Sequence, residues 1–238
     1  LHINDGLLIP INPITHTINV ADLSVLISTW AITLPFLIFA WKKTKETYST
    51  SFAATLSILS ALIFVVQMLT FPVAGGTSVH ILGGTLLAII IGPYAGMLSM
   101  TMVLGMQAFF FADGGLLAFG ANALNMAVIG SLSFFLVKLL TGNSTSKKRF
   151  ATSVFAATFM STILTALLTG IEVGLSYSFA NSGGLAATVP AMLSVYSVEG
   201  IVEAAFTSVI ATALMASFSH IQNSAVVGLK LLRGKDLL

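Results

Sequence analysis

Stretches of mostly apolar residues recur along the whole of this chain, and lipid is the solvent that suits so many of them. A hydrocarbon core about 30 Å thick needs about 20 such residues per helix. The windows fall at roughly 18–41, 50–71, 78–92, 95–112, 118–140, 150–180 and 188–222. They predict an all-α, polytopic transmembrane bundle of about seven helices. Composition agrees: 56% of the 238 residues are hydrophobic and 8% are charged, whereas a soluble domain carries about 25% charged residues. So little polar surface cannot cover a globule in water. Cysteine is absent, which removes disulfides, thiolate metal sites and cysteine nucleophiles.

Basic residues orient such a bundle, because Lys and Arg concentrate in cytoplasmic loops. All ten lie in three clusters: Lys42, Lys43 and Lys45; Lys138, Lys147, Lys148 and Arg149; Lys230, Arg233 and Lys235. Seven spans with the amino terminus outside put all three clusters, and the carboxyl terminus, in the cytoplasm. The third window is short, but without it the second cluster would flip outward, so parity predicts that 78–92 crosses. The chain reads as one membrane domain over 1–238, with an amino-terminal segment at 1–17, the bundle at 18–222 and a cytoplasmic tail at 223–238. Residues 1–19 lack a basic start and carry Asp5, Pro10 and Pro13, so they read as retained rather than as a cleaved signal peptide. No basic stripe with interleaved aromatics suggests nucleic acid. Eleven of the twenty glycines lie between Gly75 and Gly130. Close helix packing is the ordinary use of such residues, as at Gly92 and Gly96 or Gly170 and Gly174.

The chemistry begins at the second residue. A free α-amine on Leu1, the backbone amide of His2 and the His2 Nδ1 can close two fused chelate rings on one metal, filling three planar nitrogen positions. A deprotonated amide suits nickel(II) or copper(II) far better than tetrahedral zinc. His80 follows Gly75-Gly76-Thr77-Ser78-Val79 on the side of the membrane that the parity argument makes external. A histidine at membrane depth is costly without a partner. The two histidines together can supply four nitrogens, the set a square-planar ion takes. The plain alternatives are an exposed terminal histidine at position 2 and a helix-end histidine at position 80 bonded to Ser78 or Thr77.

Other polar residues carry weaker signals. His16 and His220 read as solvated. Asp113, Gly114 and Gly115 read as an outer turn. Glu199 and Glu203 share a helix face at i, i+4, and with Glu172 they could form a polar spine or a packing network. Met97, Met100, Met102 and Met106 are soft ligands in principle, but methionine is an ordinary gap-filler between helices. The chain has no phosphate-binding loop, zinc-protease motif or nucleophile elbow. An enzyme reading therefore has little support, and any ATP-driven step would need partner chains.

The opening His2-Ile3-Asn4-Asp5-Gly6 resembles the start of the CbiM/NikM proteins, the metal-capturing S components of energy-coupling factor transporters for cobalt and nickel. The run from Gly75 to Gly84, then Gly92-Pro93, Gln107-Ala108, Phe111-Ala112-Asp113-Gly114-Gly115, Gly120-Ala121-Asn122 and Asn125-Met126, is similar to the same family. The resemblance covers most of residues 1–130 and is looser after 150. It implies a terminal segment tucked into the bundle, holding the metal through the Leu1 amine, the His2 amide and imidazole, and His80. Asp5, Thr77, Ser78, Gln107, Asp113, Asn122 and Asn125 are the implied supporting residues. The implied cargo is nickel(II) or cobalt(II). The implied partners are a transmembrane coupling subunit, two cytoplasmic ATPases and a small accessory membrane protein.

Family members begin with methionine where this sequence has Leu1. A residue preceding Leu1 would let the terminus fill all four planar positions by itself and leave His80 without a ligand role. Two further readings differ in class: an S-component-like carrier of an organic micronutrient, needing an apolar pocket, and a membrane metalloenzyme, needing an open metal position beside a base such as Asp113 or Glu203.

Overall fold

The computed structural model describes residues 20–48, 52–73, 77–111, 113–176 and 183–217. Among these, helix α1 spans Val20–Thr47 and α2 spans Phe52–Gln67. A short antiparallel hairpin follows, β1 at Thr70–Val73 and β2 at Thr77–His80, with Thr70 opposite His80. Helix α3 is Gly84–Ile91 and α4 is Pro93–Phe111. Helix α5, Phe119–Thr141, contains a π-helical stretch at Ala123–Ile129. Helices α6, Lys147–Gly174, and α7, Gly184–Ser217, complete the bundle. Five of the seven, α1 and α4 to α7, are long and apolar enough to cross a bilayer, and α2 is a shorter apolar helix. Ile27, Leu62, Phe109, Leu139 and Val209 expose more than half their surface. Such a coat is intolerable in water and ordinary in lipid. The chain is a multi-pass membrane protein, all-α apart from the hairpin.

The third window departs from the expected helix over 78–92. Residues 77–80 pair as a strand, and helix starts only at Gly84. The segment nevertheless runs from one end of α2 to the other. Gln67, at the far end of α2, donates from Nε2 to the Leu82 carbonyl at 2.6 Å. At the near end, Tyr48 stacks on Phe52 at 4.0 Å and its hydroxyl donates to the Ile91 carbonyl. Burial pushes the Tyr48 phenol well up, which keeps it a donor. At its two ends α3 is framed by glycines: Gly83, at φ 77°, and Gly92, at φ 90°, take backbone angles that side chains resist. From Gly92-Pro93 the chain doubles back as α4. Ser60 and Ser99 then meet at 2.6 Å, and Gln107 Nε2 donates to Gln67 Oε1 at 2.8 Å.

Small residues set the closest approaches. A Cβ on Gly84 would lie 2.7 Å from the Met126 carbonyl oxygen, and one on Gly96 would lie 2.8 Å from the Ala88 nitrogen. Gly170 and Gly174 press in the same way on Val189, Leu185 and Thr188 of α7, and α6 with α7 is the most extensive helix pair. Ala88 and Ile89 of α3, Phe134 and Val137 of α5, Phe150 and Val154 of α6, and Ala211 and Met215 of α7 share one cluster. Tyr94 touches both Phe39 and Phe135. The end of α1 with Lys42, Lys43 and Lys45 and the α5–α6 turn with Lys138 and Lys147–Arg149 therefore lie at the same face of the bundle, as parity requires. The paired strands β1 and β2, the 113–118 turn, the end of α6 and the start of α7 lie at the other.

Candidate metal centre

His80 is the last residue of β2, half-buried, where the hairpin gives way to a non-helical tripeptide leading into α3. Its Nδ1 lies 3.1 Å from the Ile81 carbonyl oxygen. A carbonyl only accepts, so this contact favours the tautomer with the hydrogen on Nδ1, in which Nε2 is the nitrogen able to ligate a metal. Glu203 of α7 accepts from the next two amides, Leu82 N–H on Oε2 and Gly83 N–H on Oε1, each at 2.9 Å. These N–H groups precede α3, whose first turn has no intrahelical partners for them.

A polar chain leads away from this loop. Leu82 O accepts from Gln67, which accepts from Gln107, and the Gln107 carbonyl accepts from Asp113 N–H at 3.1 Å. Gly114, at φ 88°, offers its carbonyl to Asn122 Nδ2 at 2.5 Å. Of the supporting residues expected from sequence, Gln107, Asp113 and Asn122 thus join the His80 loop through one network. Asn125 does not. Its Nδ2 donates to Thr169 Oγ1 at 3.1 Å and to Glu172 Oε2 at 2.6 Å in α6. Glu172 and Glu203 accordingly serve separate networks rather than a continuous spine. Thr77 and Ser78 are β2 residues opposite Val73 and Pro72. Leu1, His2, Asp5, His16, His220 and the third basic cluster lie outside the described residues.

One helix, α5, brings irregular backbone to the floor of the site. Hydroxyls take up carbonyls in and just after the π-helical stretch of α5: Thr165 of α6 donates to Asn125 O at 2.9 Å, and Ser133 of α5 itself to Gly130 O at 2.6 Å. Such compensation is required at membrane depth. A cavity of about 10 Å³, room for one water, lies between Thr85, Asn125, Thr162, Thr165 and Glu203. Several buried acceptors find no donor among the described residues: Gln107 Oε1, Asn125 Oδ1 and both carboxylate oxygens of Glu199. The described residues also contain no group of three His, Asp or Glu side chains able to hold a metal. A metal at His80 would need further donors from elsewhere.

The methionines are no ligand set. Met97 and Met100 are buried in the core, while Met102 and Met106 expose about half their surface toward lipid. Met102 and Met106 line, with Phe64 and Phe111, an apolar groove of about 320 Å³ between α2 and α4. Gln67 was missed from sequence, although it is the lone amide side chain in the 50–71 window, and a polar group in such a window is a functional candidate.

The family described as CbiM, cobalt uptake substrate-specific transmembrane region, matches residues 19–221. A putative fused nickel transport protein NikMN of Archaeoglobus fulgidus is 35% identical over 161 residues, which are 67% of this chain and 52% of that one. The chain thus spans about half the length of that fused relative. A cobalt transport protein CbiM of Lachnoclostridium phytofermentans is 30% identical over 210 residues, 87% of this chain and 82% of that one. The crystal structure of a transition metal transporter superposes with a TM-score of 0.76 at 29% identity, covering 97% of each chain.

Proposed function

This chain belongs to the CbiM family of cobalt-uptake substrate-specific transmembrane proteins, and we propose that it is the substrate-capture component of a nickel or cobalt uptake transporter in the cell membrane. The ion binds on the external face, in a square-planar set made by the Leu1 α-amine, the His2 amide and imidazole, and His80 Nε2. The single observation that carries this reading is the placement of His80 at the loop between β2 and α3, with Nδ1 3.1 Å from the Ile81 carbonyl oxygen, a contact that favours Nε2 as the ligating nitrogen. Among the described residues no group of three His, Asp or Glu side chains could hold a metal, and a terminal Leu-His pair would supply three nitrogens beside His80.

The buried acceptors support the same reading. Gln107 Oε1 and Asn125 Oδ1 can receive N–H groups from an inserted terminal segment, which would hold His2 against His80. Asp5, Thr77, Ser78, Asp113 and Asn122 would complete that support. The scaffold acts as one membrane domain with its amino terminus outside, a reading supported by the two described basic clusters, which share the face opposite β1 and β2. No catalytic role is assigned: the metal is cargo. The chain contains no phosphate-binding loop, so the energy for accumulation comes from partners, namely a transmembrane coupling subunit, two cytoplasmic ATPases and a small accessory membrane protein.

Calorimetric titration of the purified chain with nickel(II) and cobalt(II) tests the reading. Affinity is expected to fall at least about 10-fold in His2→Ala, in His80→Ala and after acetylation of the amino terminus. Tight binding unchanged by His80→Ala and by acetylation would overturn it.

A further inference from the structure

We infer that Gln67 and Glu203 are positioning residues for metal capture, clamping the tripeptide after His80 from two different helices and so fixing where its imidazole stands. The inference rests on the metal-capture reading above. Its geometric basis is three hydrogen bonds on two adjacent residues: Glu203 receives Leu82 N–H and Gly83 N–H at 2.9 Å each, and Gln67 donates to Leu82 O at 2.6 Å. Both flanking peptide planes of Leu82 are thereby held, the Ile81–Leu82 plane from α7 and the Leu82–Gly83 plane from α7 and α2 together.

Each partner is itself immobilised. Gln67 and Glu203 are each 1% exposed. The Gln67 amide is oriented by Gln107, whose Nε2 donates to its Oε1 at 2.8 Å, so Nε2 must face Leu82 O. The tripeptide also runs close against α2, since a Cβ on Gly83 would lie 3.1 Å from Ile63. A carboxylate in the bundle interior is costly unless its lone pairs are matched. Glu203 meets that condition on amides that begin a helix, where donors are unsatisfied and the helix dipole favours negative charge. Ile81 alone separates the clamped pair from His80, and the Ile81 carbonyl holds the imidazole Nδ1. Movement of the tripeptide therefore moves the ligand.

Groups that orient a ligand rather than touch the metal typically affect affinity 10- to 100-fold. The test uses the full chain in detergent, titrated with nickel(II). Glu203→Gln and Gln67→Met are each made in the wild-type and in the His80→Ala background, with thermal unfolding of the metal-free protein as the folding control. Each variant is expected to weaken nickel binding about 10-fold alone and less than about 2-fold when His80 is already gone. Equal loss in both backgrounds would overturn the clamp, because the residues would then act independently of His80; so would unchanged affinity in both single variants. Gln67→Met carries the test alone if Glu203→Gln fails to fold. Equal nickel binding by wild-type and His80→Ala protein would instead overturn the capture reading itself, and the clamp with it.

Discussion

A histidine whose Nδ1 faces its own neighbour's carbonyl is biased toward one tautomer before any ion arrives. At His80 this bias depends on the Ile81 carbonyl facing the ring, and so on the local backbone rather than on a second side chain. His80→Gln keeps a polar side chain of similar reach but loses the imidazole lone pair, and it is expected to weaken nickel binding at least about 10-fold while leaving the metal-free unfolding midpoint within about 1 °C. Calorimetry and thermal unfolding on one preparation check both halves. His80 stood out in the sequence because a histidine at membrane depth is expensive. Glu203 stood out for the same reason, yet its partners did not. They are backbone amides about 120 positions away in the chain, and a main-chain donor leaves no mark in a sequence. Gln67 carried the same kind of signal as both and passed unnoticed among apolar neighbours.

At the scale of elements, the informative error is the third segment. An apolar window cannot by itself separate a strand from a helix, and 78–92 divides into the end of β2, a clamped tripeptide and two turns of α3. Gly75-Gly76 between two β-prone tetrapeptides was a readable hairpin signal. The π-helical stretch of α5 was not readable, because it depends on hydroxyls reaching over from α6 and from within α5 itself. Thr165→Val removes the donor to Asn125 O and is expected to cost about 1 kcal/mol of stability. The α3–α5 contact is less forgiving. Gly84→Val puts side-chain atoms against the Met126 carbonyl and Gly130 and is expected to lower stability by about 1–3 kcal/mol. Unfolding midpoints in detergent measure both, and a neutral Gly84→Val would mean that α3 and α5 pack less closely than described.

Across the whole molecule, charge placement carried the clearest expectation, since basic clusters and span parity predict that 78–92 crosses. The contacts at both ends of α3 agree with that expectation. The absence of cysteine makes sidedness easy to probe. Leu116→Cys, in the exposed turn after α4, is expected to react with a membrane-impermeant maleimide in intact cells, whereas Ser144→Cys, between α5 and α6, reacts only after permeabilisation; the reverse pattern would invert the bundle. What the sequence could not convey is how a hairpin, a half-length helix and a π segment converge on one loop, since each is decided by long-range packing. The most direct test of the central claim is the visible absorption spectrum of the nickel-loaded chain, compared with that of His80→Ala and of a chain carrying one extra residue before Leu1. The account predicts a yellow, square-planar nickel spectrum in the parent chain that is lost or shifted in both variants. The same spectrum in all three would contradict a site shared between the amino terminus and His80.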